Sequence, residues 1–261
     1  QAVAHINGLK PDLVVICGDM ADNFNDGSVA DFLAVQSGLT MPSYCVPGNH
    51  DVGDSPTVER LERYRKAYGP DYYTVAHKGY TFVMVNACLW KTPVAGESEK
   101  QDAWLRQTLA TAHGKGSPIF IVMHHPLYLS SPNEPEEYFN LPPAKRSELL
   151  ALFVDSGVVA VLGGHRHLLV INEYQGIPIV HGETTCRHFD NSPLGFRLWH
   201  VESPTSIRHE FRPLVPKAPS ADFNHDGVVD KTDVGILIDH WLQDYAPCDV
   251  APPPFGDGIV D

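Results

Sequence analysis

Four short segments collect the residue types that hold divalent metals. They are Gly18-Asp19-Met20-Ala21-Asp22-Asn23, Gly48-Asn49-His50-Asp51, Met123-His124-His125-Pro126 and Gly163-Gly164-His165-Arg166-His167. Asp, Asn and His side chains are oxygen and nitrogen donors that suit Mn, Fe or Zn. A site built from them can activate water and neutralise phosphoryl oxygens, which is the chemistry of a two-metal phosphoesterase. Each segment is a weak signal alone, and the order of the four makes the set specific.

These side chains need a frame that brings distant loops together. Leu13-Val14-Val15-Ile16-Cys17 leads into Asp19, Ile119-Phe120-Ile121-Val122-Met123 into His124, and Val158-Val159-Ala160-Val161-Leu162 into His165. Short β-branched runs ended by Gly or Pro read as buried strands. The donors therefore gather in loops at strand ends, where α/β folds place their sites. Between the strands lie amphipathic stretches at Thr57 to Tyr68, Glu99 to Ala112 and Ala144 to Ser156, an alternation that predicts an α/β fold. Leu168 to Ile171 and Ile177 to Val180 flank Gln175-Gly176 and predict a hairpin.

The motif set resembles the calcineurin-like metallophosphoesterase superfamily over roughly Gln1 to Leu214. The resemblance implies two mixed β-sheets sandwiched between helices, a four-layer arrangement with metals at the strand ends. It implies that Asp19 bridges two metals, which the two oxygens of a carboxylate allow at a metal spacing of about 3.5–4 Å. Asn49, His124 and His165 then join the second metal and His167 the first. One intervening residue lets both imidazoles of His165-Arg166-His167 leave the same side of an extended segment. The implied reaction is in-line attack on phosphorus by a metal-held hydroxide. His50 protonates the leaving oxygen, and Asp51 orients His50 through its other ring nitrogen. The family also carries an Asp-x-His on an opening strand. Gln1 to Lys10 reads as the helix after that strand, so the chain is expected to be a fragment lacking two ligands of the first metal.

Gly48 to Thr57, together with His125-Pro126-Leu127-Tyr128-Leu129 and Glu137-Tyr138-Phe139-Asn140-Leu141, is similar to one branch of that family, the calcineurin-like phosphoesterase domain-containing protein 1 branch. That branch is described as protein serine/threonine phosphatases. Phosphomonoesters, on small molecules or phosphoproteins, are therefore the first substrate class. Cyclic-nucleotide or glycerophosphodiester phosphodiesterase activity is the alternative, because the ligand set is the same. A second alternative is a non-catalytic, calcium-dependent assembly module with a degenerate phosphoesterase domain.

Ordinary structural readings stand beside these roles. Asp19 suits a helix N-cap, Asn49 a turn, and His50 a solvated surface. His125 reads as support for His124, and Asp22 and Asn23 as loop caps. Arg166 is either solvated or a phosphate clamp. Asn86 is either a turn former or a residue lining the site. Tyr138 and Phe139 either wall a pocket or pack beneath their loop.

With 261 residues, 43% hydrophobic and 20% charged, the chain has material for a sizeable core. A net charge of −13 and a pI near 5.4 argue against nucleic-acid backbones or anionic membranes as partners. No apolar stretch approaches the ~20 residues that span a bilayer. The five cysteines show no C-x-x-C spacing and read mostly as buried thiols. Cys186 and Cys248 are the only pair placed for a disulfide.

The expected domains are 1–212 for the phosphoesterase, 213–220 for a proline-bearing linker and 221–261 for a partial dockerin-like, EF-hand-like segment. In that segment Asp222, Asn224, Asp226, Val228, Asp230 and Asp233 follow the calcium-loop spacing, with Gly227 at the turn. An apolar helix carrying Val234, Leu237, Ile238 and Trp241 follows. A second partial copy, Phe255 to Asp261, stops before its helix, so truncation is expected at this end too. The segment implies bound Ca²⁺ and a cohesin-like partner. It also implies export to the periplasm or the extracellular space.

Overall fold

The computed structural model describes residues 1–187, 189, 192–214, 223–224 and 229–241. The chain divides into two compact units, Gln1–Leu214 and Val215–Asp261.

The larger unit begins with α1 (Ala2–Leu9), β1 (Val14–Ile16), α2 (Asp26–Gln36), β2 (Ser43–Cys45), α3 (Asn49–Val52) and α4 (Val58–Tyr68). It continues through β3 (Tyr73–His77), β4 (Tyr80–Met84), α5 (Cys88–Lys91), α6 (Glu97–Gly114), β5 (Ile119–Val122), α7 (Pro143–Asp155) and β6 (Val158–Gly163). It closes with β7 (Val170–Tyr174), β8 (Ile177–His181), β9 (Gly195–Ser203) and β10 (Ser206–Pro213). The fold is α/β with mixed sheets and helices.

A six-stranded sheet runs β3-β4-β5-β6-β8-β7. Its inner neighbours β4, β5, β6 and β8 are parallel, and antiparallel strands β3 and β7 close the edges. Every residue of β5 is buried, as expected of a strand covered on both faces. β7 alternates between half-buried and exposed positions, as befits an edge. The predicted hairpin forms through Gln175 (φ 48°) and Gly176 (φ 82°), although β7 begins at Val170 instead of Leu168.

The sheet is covered on both faces. Leu105 and Leu109 of α6 and Leu149 and Phe153 of α7 pack with Ile119, Ile121 and Val161 into the main core. Val15 of β1 and Cys17 just after it pack on Phe120, Ala160 and Leu162 with Trp199 and Ile207 of the β9–β10 ribbon. Truncating one of these fully buried leucines to Ala would cost about 2–5 kcal/mol. The second layer differs from the expected continuous sheet. It consists of a parallel pair, β1–β2, and an antiparallel pair, β9–β10, with no ladder between them among the described residues. β1 and β2 are three residues each and pair over their whole length.

In the smaller unit, α8 (Lys231–Asp239) starts at Asp230, whose carboxylate accepts from Thr232 N at 2.7 Å. The buried Asp233 carboxylate accepts from the N–H groups of Phe223, Asn224 and Asp230 at 2.7, 3.3 and 2.8 Å. Asp222, Asp226, Val228, Cys248 and the second partial copy lie outside the described residues. Cys186 is an exposed free thiol. No helix among the described residues is long and apolar enough to cross a membrane.

Candidate metal centre

Parallel strands deliver the donors to one edge. The register Val122↔Leu162 sets His124 beside the Gly163-Gly164-His165 turn, and Gly164 N donates to His124 O at 3.1 Å. The β1–β2 register, continued by Val46 N donating to Ile16 O at 3.1 Å, sets Gly18-Asp19 beside Gly48-Asn49. Gly18 sits at φ 91°, and a Cβ there would come within 2.5 Å of His124 Nδ1 and 2.8 Å of Gly48 N. Only glycine lets the two loops approach this closely. Asp19, His165 and His167 also adopt left-handed backbone, at φ 56°, 70° and 58°.

The centre forms around His124, a 1% exposed side chain. Its Nδ1 lies 2.6 Å from the Cys17 carbonyl, which can only accept, so Nδ1 carries a proton. Its Nε2 faces Asp19 Oδ2, Asn49 Oδ1 and His165 Nδ1, each at 3.1 Å. At most two hydrogens, one on each ring, can serve these four atoms. The remaining lone pairs face one another inside a buried pocket, an arrangement that a cation stabilises. Ligand atoms of Asp19, His124 and His165 all lie within 4.8 Å of one another. The donor set therefore fits a metal ion. His167 stands outside this tight group, stacked on Phe189 at 4.6 Å with 4° between the rings.

The charges follow from burial. Burial works to raise Asp19, but the neighbouring His124 and the His50 N–H outweigh it and bring the carboxyl to about 2. Burial works to lower His124, and the Asp19 carboxylate reverses this and raises it. Burial, then the charge of His124, pushes His165 down to about 3. Burial also lowers His167. Neutral imidazoles are the form that binds metal.

Asp51 does not orient His50. Its buried carboxylate accepts from Gly48 N and Asp19 N, both at 2.8 Å, and from Met20 N at 3.1 Å. Asp51 occupies the third position of α3, from which its side chain folds back on the N-terminal loop. It clamps the Asp19 loop to the Asn49 loop. The partner of His50 is Asp22, whose carbonyl lies 2.7 Å from Nδ1 and whose carboxylate lies 3.6 Å away. The His50 backbone N–H meanwhile donates to Asp19 Oδ1 at 3.0 Å.

The remaining residues divide between support and wall. His125 is buried, with its ring 4.2 Å from that of His165 and Nδ1 3.9 Å from Cys88 Sγ. Asn86 does not line the site. It is fully buried, its side chain donates to Asp71 at 3.0 Å, and its backbone N–H and carbonyl bond the Gln101 side-chain amide. Tyr138 and Phe139 stand 5.2 and 5.3 Å from the His165 ring, and Arg166 stacks over Phe139 at 4.6 Å.

The loop holding this wall is braced from below. Glu134 accepts from the N–H groups of Leu129, Ser130 and Ser131 and from Asn140 Nδ2. The fully buried Arg146 donates to the carbonyls of Pro132, Glu134 and Leu141. Buried loop carbonyls thus find a fixed donor.

Asp19 and Asn49 beyond β1 and β2 meet His124 and His165 beyond β5 and β6, a donor set suited to a metal-dependent phosphoesterase. The chain belongs to the calcineurin-like phosphoesterase family, whose sequence profile matches residues 1–169. It is 32% identical to the serine/threonine-protein phosphatase CPPED1 of Homo sapiens, over 82% of this chain and 72% of that protein. It is 24% identical to a probable cyclic nucleotide phosphodiesterase of Psychrobacter, over 69% of this chain and 54% of that one. A dimetal phosphatase from Danio rerio shares the fold at a TM-score of 0.54 and 15% identity, over 69% of this chain and 75% of the other.

Proposed function

We propose that this protein hydrolyses phosphomonoesters at a two-metal centre. In this reading Asp19, Asn49, His124 and His165 would hold one ion, and Asp19 with His167 would hold a second. The observation that carries it is the convergence of Asp19, Asn49 and His165 on His124 Nε2, each at 3.1 Å. Bound dications would activate a water as nucleophile and neutralise the phosphoryl oxygens.

The chain's own residues do the rest. Cys17 O holds the proton of His124 on Nδ1 and frees Nε2 for the pocket. Asp51 fixes the loops of Asp19 and Asn49 against each other. His50, its Nδ1 2.7 Å from the Asp22 carbonyl, would serve as general acid toward the leaving oxygen through Nε2. Tyr138, Phe139 and Arg166 form one wall of the approach. Likeness to the human phosphatase favours monoesters, phosphoproteins among them.

The test is hydrolysis of an aryl phosphomonoester against the matching diester with Mn²⁺ supplied. Preference for the monoester is expected. Preference for the diester would move the assignment to a phosphodiesterase, the reading that likeness to the Psychrobacter protein favours.

For the smaller unit we propose calcium binding by the Asp222–Asp233 loop, docking on a cohesin-like partner, and export. The loop spacing supports the first. Exposed Val234, Ile238 and Trp241 on and just after α8 support the second. Export follows from the docking role alone. Asp233 already accepts three backbone N–H groups, so calcium would have to share its oxygens. Titration with Ca²⁺ of the protein and its Asp226→Ala variant decides the first step: binding that Asp226→Ala leaves intact would refute the loop.

A further inference from the structure

The amide of Asn49 has partners on the side away from the metal pocket. Its Nδ2 lies 3.0 Å from Asp54 Oδ1 and 3.1 Å from Tyr138 Oη, and Tyr138 in turn donates to Asp54 Oδ1 at 3.3 Å. The three groups close a triangle that uses both hydrogens of the amide. The amide oxygen is left facing His124 Nε2 at 3.1 Å.

An amide can turn end for end with almost no change in shape, so hydrogen bonding alone decides which atom faces the pocket. An ionised carboxylate only accepts. Asp54 therefore demands the amino group, and a flipped amide would set oxygen against oxygen. Tyr138 strengthens the choice, since its hydroxyl accepts from Asn49 while donating to Asp54. Tyr138 is also held by a loop that Glu134 and Arg146 brace, so the triangle is anchored outside the pocket.

We infer that Asp54 and Tyr138 are positioning residues that lock the Asn49 amide with its oxygen toward the bound cation. This rests on the metal-centre reading above. It also accounts for Asn, not Asp, at position 49: a carboxylate there would place a second anionic oxygen against Asp54.

The test is Mn²⁺ affinity by equilibrium dialysis, with the electron paramagnetic resonance signal of the bound ion, on the intact protein. Asn49→Asp alone is expected to weaken binding at least about tenfold, within the range for disturbed support around metal ligands. Asn49→Asp combined with Asp54→Asn reverses the polarity of the bond. The new amide donates to the new carboxylate, and binding is expected to return to within about threefold of wild type. Tyr138→Phe, which removes only the hydroxyl, is expected to weaken binding by a few-fold and broaden the signal. If Asn49→Asp binds as tightly as wild type, or the double variant binds no better than Asn49→Asp, the inference is overturned and the metal centre stands. If wild type takes up no more Mn²⁺ than His124→Ala, the metal centre itself fails and takes the inference with it.

Discussion

Asn49, His124 and His165 lie at the floor of the site, 5%, 1% and 6% exposed, with Asn49 Oδ1 and His165 Nδ1 each 3.1 Å from His124 Nε2. His50 and His167 stand at the rim. The His50 side chain is 40% exposed and held by one carbonyl with a carboxylate nearby. His167 leans on Phe189, itself 59% exposed. Backbone carbonyls, buried carboxylates and parallel strands fix the floor. The rim is held by fewer contacts, and more exposed ones. Rigid placement serves the ion held by Asp19, Asn49, His124 and His165, and looser placement serves His50, the group that would deliver a proton.

Three measurements separate floor from rim. Asp19→Asn strikes the floor hardest. It removes the charge opposite His124 and is expected to lower kcat/KM on the order of a thousandfold, with loss of bound metal. Near wild-type turnover with metal in place would break the comparison. His50→Ala touches only the rim. It is expected to lower kcat about a hundredfold, with metal content and melting temperature unchanged. If metal content falls with kcat, the rim is part of the floor.

The smallest effect is the pH dependence of stability without metal. Burial holds His165 and His181 down to about 3 and His125 well below the ordinary 6.5. Unfolded, these rings take up protons below 6.5, so acid favours the unfolded chain. Denaturant stability should fall as pH drops from 6.5 toward 3. His124 runs the other way, since its raised value adds stability that is complete below 6.5 and lost as pH rises through the raised value. The Asp51 carboxyl, pushed up by burial to about 7, also gains stability as pH falls, but three rings outweigh these two groups, so the net slope below 6.5 is positive. A flat profile would mean that the floor is wetter than its geometry.

Much of this was legible from residue order. The strands ending at Asp19, His124 and His165 announce themselves by β-branched runs and glycines, because a strand buried on both faces has little choice of residue. The α4 start was readable as well, since Thr57 caps it by accepting from Arg60 N. What failed was direction. Asp51 follows His50 in sequence, but in the short helix α3 consecutive side chains diverge by about 100°, so Asp51 turns to the loop amides and His50 to Asp22. What stayed hidden was distance. Tyr138 meets Asp54 across 84 positions and Asn49 across 89, and no local pattern encodes such a meeting. The brace of Glu134 and Arg146 was invisible for the same reason. A buried Arg reads as a surface one until its carbonyl partners are placed around it.

The left-handed backbone at Asp19, His165 and His167 carries one more consequence. Each such residue costs roughly 1–2 kcal/mol relative to an ordinary conformation, a steric cost that glycine does not carry. The substitutions that would relieve that backbone cost are the ones that delete the ligands. Mutational drift toward robustness and retention of chemistry therefore pull in opposite directions at the same three places. A descendant selected only to stay folded would be expected to lose its metals there first.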